Sequence, residues 1–381
     1  MNSKAGTYIK NLEGELAYES FVPTFLPLNF ELNLDDEIYK LLINANKNIA
    51  SLNDITTQIP DLNLFISMYL RKEALLSSQI EGTQASLNDI LDPSIETNTN
   101  LDVDDVINYI KAYEYGIDRL KTLPICCRFM KEIHKILLDN TRGQEKNPGE
   151  FRKTQNWIGG RGSTLKNAVY VPPNVEDMLK AMNNLENYIN NNEEIDHLIK
   201  VALIHYQFET IHPFLDGNGR VGRLLIILYL IENNVLESPS LYISYYLKNN
   251  RIEYYDRISE VRKQGNYEQW IKFFLTAIIE SCDDAIKTIK RLIVVRDNNI
   301  SKINKSFKAN KSIVILFDYL QAHPIIEIGK TAKALNLSFN TVSKAIEKLI
   351  SINVLVQIDN NSRNRLFVYE EYMNILKQGT E

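Results

Sequence analysis

Apolar residues along most of the chain recur at the three- and four-residue intervals that are typical of amphipathic helices. The stretch from Asp35 to about Ile90 follows this spacing, and residues 102–121 repeat it with aspartates in the first turn, where they favour a helix N-terminus. The segment before Asp35 has no apolar stripe and contains Pro23 and Pro27. We therefore predict helices from Asp35 onward and an extended arm ahead of them.

The C-terminal part of the chain adds short strand-like segments to the helical pattern. Residues 312–321 have the spacing of one apolar helix, and residues 328–349 have that of a helix-turn-helix. Residues 354–358 and 365–369 are rich in β-branched, aromatic and other apolar side chains on either side of a polar turn, which indicates a hairpin. Together these segments resemble a winged helix.

The composition limits the class of protein. Of the 381 residues, 44% are hydrophobic and 24% are charged, which is ordinary for a globular protein and excludes a disordered or collagen-like chain. At about 150 residues per domain, the length predicts two or three domains. The longest apolar run, Leu224–Ile231, is far shorter than the roughly 20 residues of a membrane-spanning helix, and the N-terminus has no apolar signal core. We expect a cytoplasmic protein without membrane contact.

The three cysteines, Cys126, Cys127 and Cys282, are odd in number and include no C-x-x-C pair. This argues against a disulfide framework and against a cysteine-ligated zinc site. The net charge of −5 hides an uneven distribution, since residues 301–369 carry +6 and residues 1–300 carry −9. A basic C-terminal module therefore follows an acidic body, and only that module has the charge of a nucleic-acid binder.

The segment HPFLDGNGRVGR, residues 212–223, lies between two strongly apolar helical stretches. Gly217 and Gly219 permit a positive φ and the close approach of a ligand, and Asn218 between them also tolerates the left-handed region. The loop continues directly into a predicted helix, whose free backbone N–H groups and dipole favour an anion. The segment therefore predicts an anion-binding loop.

Four side chains in this segment supply the chemistry. Arg220 and Arg223 are three residues apart on the first turn of the helix, so both can face the same phosphate groups. Asp216 offers a hard oxygen ligand that suits Mg²⁺, and His212 offers a base whose pKa we expect near neutrality. A base, a magnesium ligand and an anion cradle so close together indicate phosphoryl or nucleotidyl transfer.

The segment matches in full the HPFxDGNGRxGR signature of the Fic (Fido) family, and the chain is identified as a member of it by resemblance. Residues 149–160 and 168–173 are similar to the family's strand, flap and returning strand. The resemblance implies a protein adenylyltransferase that moves AMP from ATP to a Ser, Thr or Tyr hydroxyl. It implies a mainly α fold with three parts: an N-terminal helical region (1–112), a helical Fic core with a small β-hairpin flap (113–295), and a C-terminal winged helix-turn-helix (305–381).

The resemblance also implies a role for each site residue. His212 would take the proton from the target hydroxyl, and Asp216 would hold Mg²⁺ between the α- and β-phosphates of ATP. The flap, residues 158–161, would dock a target segment by strand addition. The implied nucleotide-binding residues are Gly217, Asn218, Gly219, Arg220, Gly222, Arg223, Ile158, Gly159, Gly160, Tyr254 and Tyr255; the two tyrosines could equally be core residues.

Residues 77–82, SSQIEG, fit the family's inhibitory pattern [ST]-x-x-x-E-[GN]. The resemblance implies that Glu81 pairs with Arg223 and blocks the productive γ-phosphate position, that Ser77 bonds nearby, and that Gly82 ends the helix. A carboxylate can compete with phosphate for a guanidinium because both accept two parallel hydrogen bonds. In some relatives such a glutamate serves the removal of AMP, so the direction of the reaction stays open.

Other partners and activities stay open as well. Ser338, Asn340, Thr341, Ser343 and Lys344 are expected on the exposed side of the recognition helix. Lys344, Lys348, Arg363 and Arg365 are candidates for phosphate contacts with DNA. A winged helix can also serve protein contacts, and a homodimer is expected by analogy. The alternatives are a DNA-binding regulator with a nucleotide-sensing core, and transfer of UMP, GMP, phosphate or phosphocholine. The target is unknown and could be the protein itself.

Overall fold

The structure is a computed structural model, and it describes residues 4–57, 62–93, 100–141, 143–160, 162–191, 195–307, 310–358 and 365–380. Within these residues the chain forms fifteen α-helices and two small antiparallel sheets. The predicted mainly α class is therefore confirmed. No helix in the described part of the chain combines the length and the apolarity needed to cross a bilayer.

The N-terminal arm is extended, as predicted, and its two strands pair as a β-hairpin, which the sequence did not indicate. β1 (Gly6–Asn11) pairs antiparallel with β2 (Tyr18–Pro23). The backbone N–H of Phe21 also donates to Val171 O at 3.0 Å, so the hairpin is fastened to a distant part of the chain. Local spacing could not reveal this because the stabilising partner lies about 150 residues away along the sequence.

The N-terminal helical region has four helices: α1 (Asp36–Thr57), α2 (Leu62–Ile80), α3 (Leu87–Leu91) and α4 (Leu101–Leu120). α2 buries an apolar face, but its buried residues also include Lys72, Glu73, Ser77 and Ser78. Gly82 follows α2 at a φ of +101°, a conformation that favours glycine and ends the helix as predicted. α2 is thus anchored to the core by polar as well as apolar contacts.

The helical core contains seven further helices: α5 (Cys127–Leu137), α6 (Val175–Asn190), α7 (His197–Ile211), α8 (Asn218–Glu232), α9 (Ser244–Asn249), α10 (Arg251–Gln264) and α11 (Tyr267–Ser306). α7 and α8 are apolar on nearly every face and almost wholly buried, as a central helix pair must be. The turn between them holds residues 212–217. Central packing of α7 and α8 therefore fixes the position of the motif.

α11 is a single helix of 40 residues that passes through residues 296–304, which lie between the predicted Fic core and the predicted winged helix. The predicted division at residues 112 and 113 likewise falls inside α4. Both regions contribute to one continuous hydrophobic core. The three ranges stay predictions of functional parts, but the helices run without interruption across their boundaries.

The C-terminal part follows α11 with α12 (Lys311–Leu320), β3 (Ile325–Glu327), α13 (Ile328–Ala334), α14 (Phe339–Ser351), β4 (Val356–Gln357), β5 (Leu366–Val368) and α15 (Glu370–Lys377). The strands form one antiparallel sheet in the order β3-β5-β4. This succession of helix, strand, two helices and two strands is compatible with a winged helix, which stays a prediction. The predicted turn at residues 359–364 lies outside the described residues.

Candidate active site

The motif loop between α7 and α8 begins and ends with a residue in the left-handed region. His212 ends α7 with φ 51° and ψ 60°, and its backbone N–H donates to Phe208 O. Gly217 begins α8 with a φ of 75°. Gly219 lies within the helix, so the predicted need for a positive φ holds for Gly217 alone.

Asn218 uses its side chain to close the loop on itself. Its Nδ2 donates to Phe214 O at 2.9 Å, and its Oδ1 accepts from the Phe214 N–H at 2.8 Å. The residue is helical and buried, which corrects the expectation of a left-handed backbone at this position. Its side chain therefore shapes the loop, and any contact with an anion falls to the backbone N–H groups.

Arg223 is fully buried and is held by the end of α2. Its Nε donates to Ser77 Oγ at 2.8 Å and its Nη2 donates to Ser77 O at 3.0 Å. Nη2 also forms an ion pair with Glu81 Oε1 at 2.7 Å. Burial opposes ionisation of Glu81, but the Arg223 charge holds the pKa of that carboxyl below its usual range. The pair suggested by resemblance is thus present, and Arg223 donates two further hydrogen bonds to Ser77.

Gly219 makes room for this ion pair. A β-carbon on Gly219 would collide with Glu81 Oε1 and would lie 2.9 Å from Arg223 Nη1. The glycine is therefore needed where the Glu81 carboxylate approaches α8. The sequence predicted that Gly219 permits the close approach of a ligand. In the structure the group that approaches it is the Glu81 side chain.

Arg220 is buried and forms an ion pair with Asp105 of α4 at 3.0 Å. Each motif arginine has a buried donor without an acceptor: among the described residues, Arg220 Nε and Arg223 Nη1 have no hydrogen-bond partner. Buried donors of this kind normally find an acceptor. Two such donors at the start of α8 fit an anionic group, such as a phosphate, that completes the site.

His212 lies in a half-buried position with a defined tautomer. Its Nδ1 is 3.4 Å from the carbonyl oxygen of Glu209, which can only accept, so Nδ1 carries the proton and Nε2 is left as the acceptor. Burial lowers the pKa of His212 to about 4, and the charges of Arg152 and Arg262 act in the same direction. The expectation of a pKa near neutrality is therefore wrong. The imidazole is neutral at physiological pH and can accept a proton.

Asp216 is exposed, and its Oδ1 accepts from the Gly217 N–H at 2.6 Å. In the described part of the chain, no cluster of three or more His, Cys, Asp or Glu side chains could hold a metal on its own. A single carboxylate nevertheless suits Mg²⁺, which commonly takes one or two carboxylates and completes its shell with substrate phosphates and water. Asp216 thus fits a magnesium ion that arrives with a nucleotide.

The two adjacent tyrosines of α10 differ in what they can contact. Tyr254 is fully buried, and its hydroxyl lies 2.8 Å from His205 Nε2. Tyr255 is 38% exposed and has the Arg251 guanidinium 5.6 Å from its ring centre. The prediction that both tyrosines bind a nucleotide is therefore corrected for Tyr254, which is a core residue; Tyr255 remains available.

Gly222 faces α7 and not the motif loop. A β-carbon there would collide with Glu209 Oε1 and would lie 3.2 Å from the Phe208 ring. Its absence lets α7 and α8 pack closely, so the geometry gives Gly222 a packing role in place of the predicted contact with the nucleotide. Glu209 itself is buried, and burial raises the pKa of its carboxyl to about 7.

The flap is narrower than the predicted hairpin. Ile158 and Tyr170 exchange two backbone hydrogen bonds, of 2.8 and 3.0 Å, as an isolated antiparallel bridge. Gly159 packs tightly on Ser163, and a β-carbon there would lie within 2.8 Å of the serine β-carbon. Gly160 has open space around it, and residue 161 of the predicted flap lies outside the described residues. Contacts of these residues with a nucleotide or a target stay predictions.

Several residues of the site have no role in the sequence-based prediction. Asp105 looks like an ordinary helical acid until its burial beside Arg220 is seen. His134 of α5 stacks on Phe214 at a ring distance of 3.7 Å, and its Nε2 lies 3.0 Å from Asp216 O. Arg152 lies within residues 149–160, which resemble the family's strand and flap, and the sequence assigns no function to it. Its burial among backbone carbonyls gives no local sequence signal.

The core is mainly helical, and one helix N-terminus brings together a left-handed loop, a neutral histidine and two buried arginines. This combination is typical of proteins that bind an anionic ligand. Two family models match the chain: the Fic/DOC family N-terminal model covers residues 39–118, and the Fic/DOC family model covers residues 124–230. The chain belongs to the Fic/DOC family.

Among its relatives is the protein adenylyltransferase Fic of Aedes aegypti, with 30% identity over 238 residues that cover 58% of this chain and 43% of that protein. The namesake from Drosophila grimshawi is 30% identical over 191 residues, covering 49% and 35% respectively. The matched part thus spans less than half the length of these relatives.

Solved structures share the fold. A Fic family protein from Desulfovibrio desulfuricans G20 has a TM-score of 0.56 at 18% identity, covering 89% of this chain and 97% of that one. Fic-1 from C. elegans has a TM-score of 0.50 at 19% identity, with coverages of 66% and 73%. At these identities the likeness concerns the fold.

Proposed function

We propose that this protein transfers AMP from ATP to a Ser, Thr or Tyr hydroxyl of a target protein, and that Glu81 holds it in a self-inhibited state. The observation that carries the proposal is the position of the Glu81 carboxylate, whose pKa responds to Arg223, Arg220 and His212 together. A negative charge at this position therefore interacts with the three basic groups of the motif. A nucleotide phosphate would gain the same interactions if Glu81 moved away.

Each residue then has one task in the reaction. Arg220 Nε and Arg223 Nη1, the donors without a partner, bind phosphate oxygens. The N-terminus of α8 adds backbone N–H groups. The target hydroxyl oxygen attacks the α-phosphorus, the bond to the β-phosphate breaks, and diphosphate leaves. His212 Nε2 takes the hydroxyl proton because Nδ1 is already protonated. Asp216 would hold Mg²⁺, whose positive charge stabilises the phosphates.

Inhibition follows from competition for one guanidinium. Nη2 of Arg223 donates to Glu81 and to Ser77 O, and Nε donates to Ser77 Oγ, so three of its bonds are committed to the end of α2. A γ-phosphate at Arg223 would lie beside the Glu81 carboxylate, and the two anions would repel each other. Removing the carboxylate should therefore permit the productive phosphate position.

The test is labelling of the purified protein by ATP that carries a tag on its adenine, in the presence of Mg²⁺. We expect Glu81→Gly to gain label and a mass increase of one AMP, and Glu81→Gly/His212→Ala to gain none. Glu237→Gly, which removes an exposed glutamate elsewhere, is the matched control and should behave like the unaltered protein. Equal labelling of Glu81→Gly and the unaltered protein would refute the inhibitory role.

The same assay separates the alternative reactions. ATP tagged on its γ-phosphate should leave no label, whereas phosphate transfer would leave one. Competition by UTP, GTP or CDP-choline against tagged ATP would reveal a different donor. For the removal of AMP, labelled Glu81→Gly protein is mixed with the unaltered protein; loss of label that depends on Glu81 would assign hydrolysis to the intact site.

DNA binding by the C-terminal part is a second proposal, and it depends on the exposed start of α14. Asn340 and Lys344 are exposed there beside Phe339, which is 56% exposed, in a region of net charge +6. Other candidates fit less well: Ser338 caps the helix, and Lys348 is half-buried over the ring of Phe307. Thr341 and Ser343 are half-buried, and Arg363 lies outside the described residues.

The full chain should retard duplex DNA in a salt-dependent shift assay if this second proposal is correct. Lys344→Gln should weaken the shift, while Lys10→Gln, which removes an exposed charge from β1, should leave it unchanged. Equal shifts by both variants would assign α14 to protein contacts. Assembly into a homodimer stays a prediction, which the molecular mass in solution would test.

A further inference from the structure

Arg152 is a buried arginine whose four hydrogen bonds from the side chain and backbone all go to backbone carbonyls. Only 1% of its surface is exposed, and the described residues place no carboxylate within ion-pair distance of it. Burial lowers the pKa of its guanidinium to about 10, which still leaves it charged at physiological pH. A buried cation is costly unless its hydrogen bonds are satisfied, so this arrangement requires an explanation.

The carbonyls it binds belong to three separate segments. Nε donates to His212 O at 3.1 Å, Nη1 donates to Thr154 O at 3.4 Å, and Nη2 donates to Pro173 O. Thr154 precedes the flap, and Pro173 is the last residue of the strand that returns from it, residues 168–173. One planar guanidinium therefore joins both ends of the flap to the residue that carries the base.

A second group from the same segment supports the contact with the motif loop. Asn156 Nδ2 donates to His212 O at 3.3 Å and to Phe214 O at 2.9 Å. The backbone N–H of Arg152 donates to Pro213 O at 2.9 Å. Segment 152–156 thus binds the carbonyls of three consecutive residues, 212–214, which follow the end of α7.

This contact acts on a residue whose backbone conformation is sparsely populated. His212 is a non-glycine residue in the left-handed region, a conformation that persists only where surrounding structure holds it. Its carbonyl accepts from Arg152 and Asn156, and its N–H is committed to α7. The direction of the His212 side chain depends on that backbone conformation.

We infer that Arg152 is a positioning residue that fixes the His212 imidazole relative to the flap, so that a hydroxyl docked on the flap meets the base at the right distance. This inference rests on the proposed function, since it assumes that His212 accepts the proton of a target hydroxyl. Reaction rates fall steeply when a base is misplaced by about 1 Å. The hydrogen bonds of Arg152 go to residues 154, 173, 212 and 213 and not to residues 217–223, so it should affect proton transfer without affecting ATP affinity.

The charge of Arg152 also acts on the base. His212 is surrounded by Arg152 beside the flap, Arg262 of α10, Glu81 after α2, and the Glu209 carbonyl of α7. The two arginines disfavour a proton on the imidazole, while Glu81 and the carbonyl favour one. Removing the Arg152 charge should therefore raise the pKa of His212 and move the acid limb of the pH–rate profile to higher pH.

Two substitutions separate geometry from charge, both in the Glu81→Gly background. Arg152→Lys keeps the charge but cannot span three carbonyls, so AMP transfer should fall about 10- to 100-fold with ATP affinity unchanged and the acid limb in place. Arg152→Gln should lower the rate similarly and also move the acid limb to higher pH. Arg128→Lys and Arg128→Gln, on the exposed face of α5, are the controls and should match their parent.

A readout independent of activity is the tautomer of His212, from imidazole ¹⁵N shifts at neutral pH, assigned by its loss in His212→Ala. We expect one Nδ1–H tautomer in the parent and a mixture in Arg152→Lys. Asn156→Ala, which keeps Arg152, should change both rate and tautomer less, and it serves if an Arg152 variant fails to fold.

An unchanged tautomer with an unchanged rate would overturn the inference, and so would equal losses of rate and ATP affinity. A mixed tautomer in a protein that transfers no AMP would leave Arg152 as the positioning residue and refute the adenylyltransferase proposal instead.

Discussion

The two motif arginines lie one helical turn apart on α8, yet they are held in different ways. Arg220 pairs with Asp105, a residue inside α4 whose side chain is 10% exposed. Arg223 pairs with Glu81, whose side chain is 38% exposed. Glu81 follows the last residue of α2 and precedes Gly82, where the helix ends.

This difference separates a pair that belongs to the fold from a pair that can open. Asp105 could leave Arg220 only if α4 moved, which would disrupt the core between α4, α5 and α8. Glu81 could leave Arg223 by a local change at the end of α2, and water could reach the released carboxylate. α4 therefore holds Arg220 in place, whereas the end of α2 controls access to Arg223; both are phosphate-binding residues in the proposed function.

The largest expected effect is on stability, and it should come from the α4 side. Asp105→Asn leaves the Arg220 guanidinium buried without its counter-charge, which should cost about 3 kcal/mol of unfolding free energy. Glu81→Gln should cost less than about 1 kcal/mol, because the Glu81 carboxylate is partly exposed and Arg223 keeps its two hydrogen bonds to Ser77. Chemical denaturation of both variants measures the contrast. Equal losses would mean that the two pairs are alike, and the distinction drawn above would fail.

A second prediction tests how the α2 side holds Arg223. Ser77→Ala removes the 2.8 Å bond from Arg223 Nε, so the guanidinium should be released more often and labelling by tagged ATP should rise. The gain should be smaller than that of Glu81→Gly, since the ion pair is kept. Ser78→Ala is a matched control, because Ser78 is equally buried on α2 and its Oγ has no hydrogen-bond partner among the described residues. Similar gains in both serine variants would point to loosening of α2 as a whole.

Much of this site could be predicted because its residues are adjacent in sequence. The order of the motif and the short pattern ending in Glu81 both place chemically distinctive residues at fixed spacing. Asp105 could not be predicted, since an aspartate in the first turns of a helix normally faces solvent. Tyr254 and Tyr255 point about 100° apart on one helix. Only the position of His205 shows which of them is buried.

Features that depend on distant pairing were missed for a similar reason. The N-terminal hairpin is fastened to Val171, and Arg152 binds carbonyls of residues 154, 173 and 212. Neither relation leaves a periodic signal, because backbone carbonyls are common to every residue type.

A third and smaller effect concerns the turn after Glu81. Gln79 Nε2 donates to Ala85 O at 3.0 Å and to Thr380 O at 3.3 Å, so it fastens this turn and links it to the C-terminal segment. Gln79→Ala should raise labelling modestly, by less than Ser77→Ala, because it loosens the support of Glu81 without touching Arg223. Gln84→Ala is the control, since its side chain bonds only within the exposed turn. An unchanged rate in Gln79→Ala would show that Glu81 is positioned by α2 alone.

The last prediction is that inhibition by Glu81 does not change with pH in the physiological range. Arg223 holds the pKa of Glu81 below its usual value of 4.5, so Glu81 stays ionised throughout the physiological range. A lowered pKa means that the pair contributes its full stabilisation above the unpaired pKa and loses it only as the pH falls through the lowered value. The ratio of labelling rates between Glu81→Gly and the unaltered protein should therefore be constant from about pH 6 to about pH 8. A ratio that changes across this range would assign the control of inhibition to another group. The first to examine would be Glu73, which lies on α2 one turn before Ser77. Burial raises the pKa of its carboxyl to about 7.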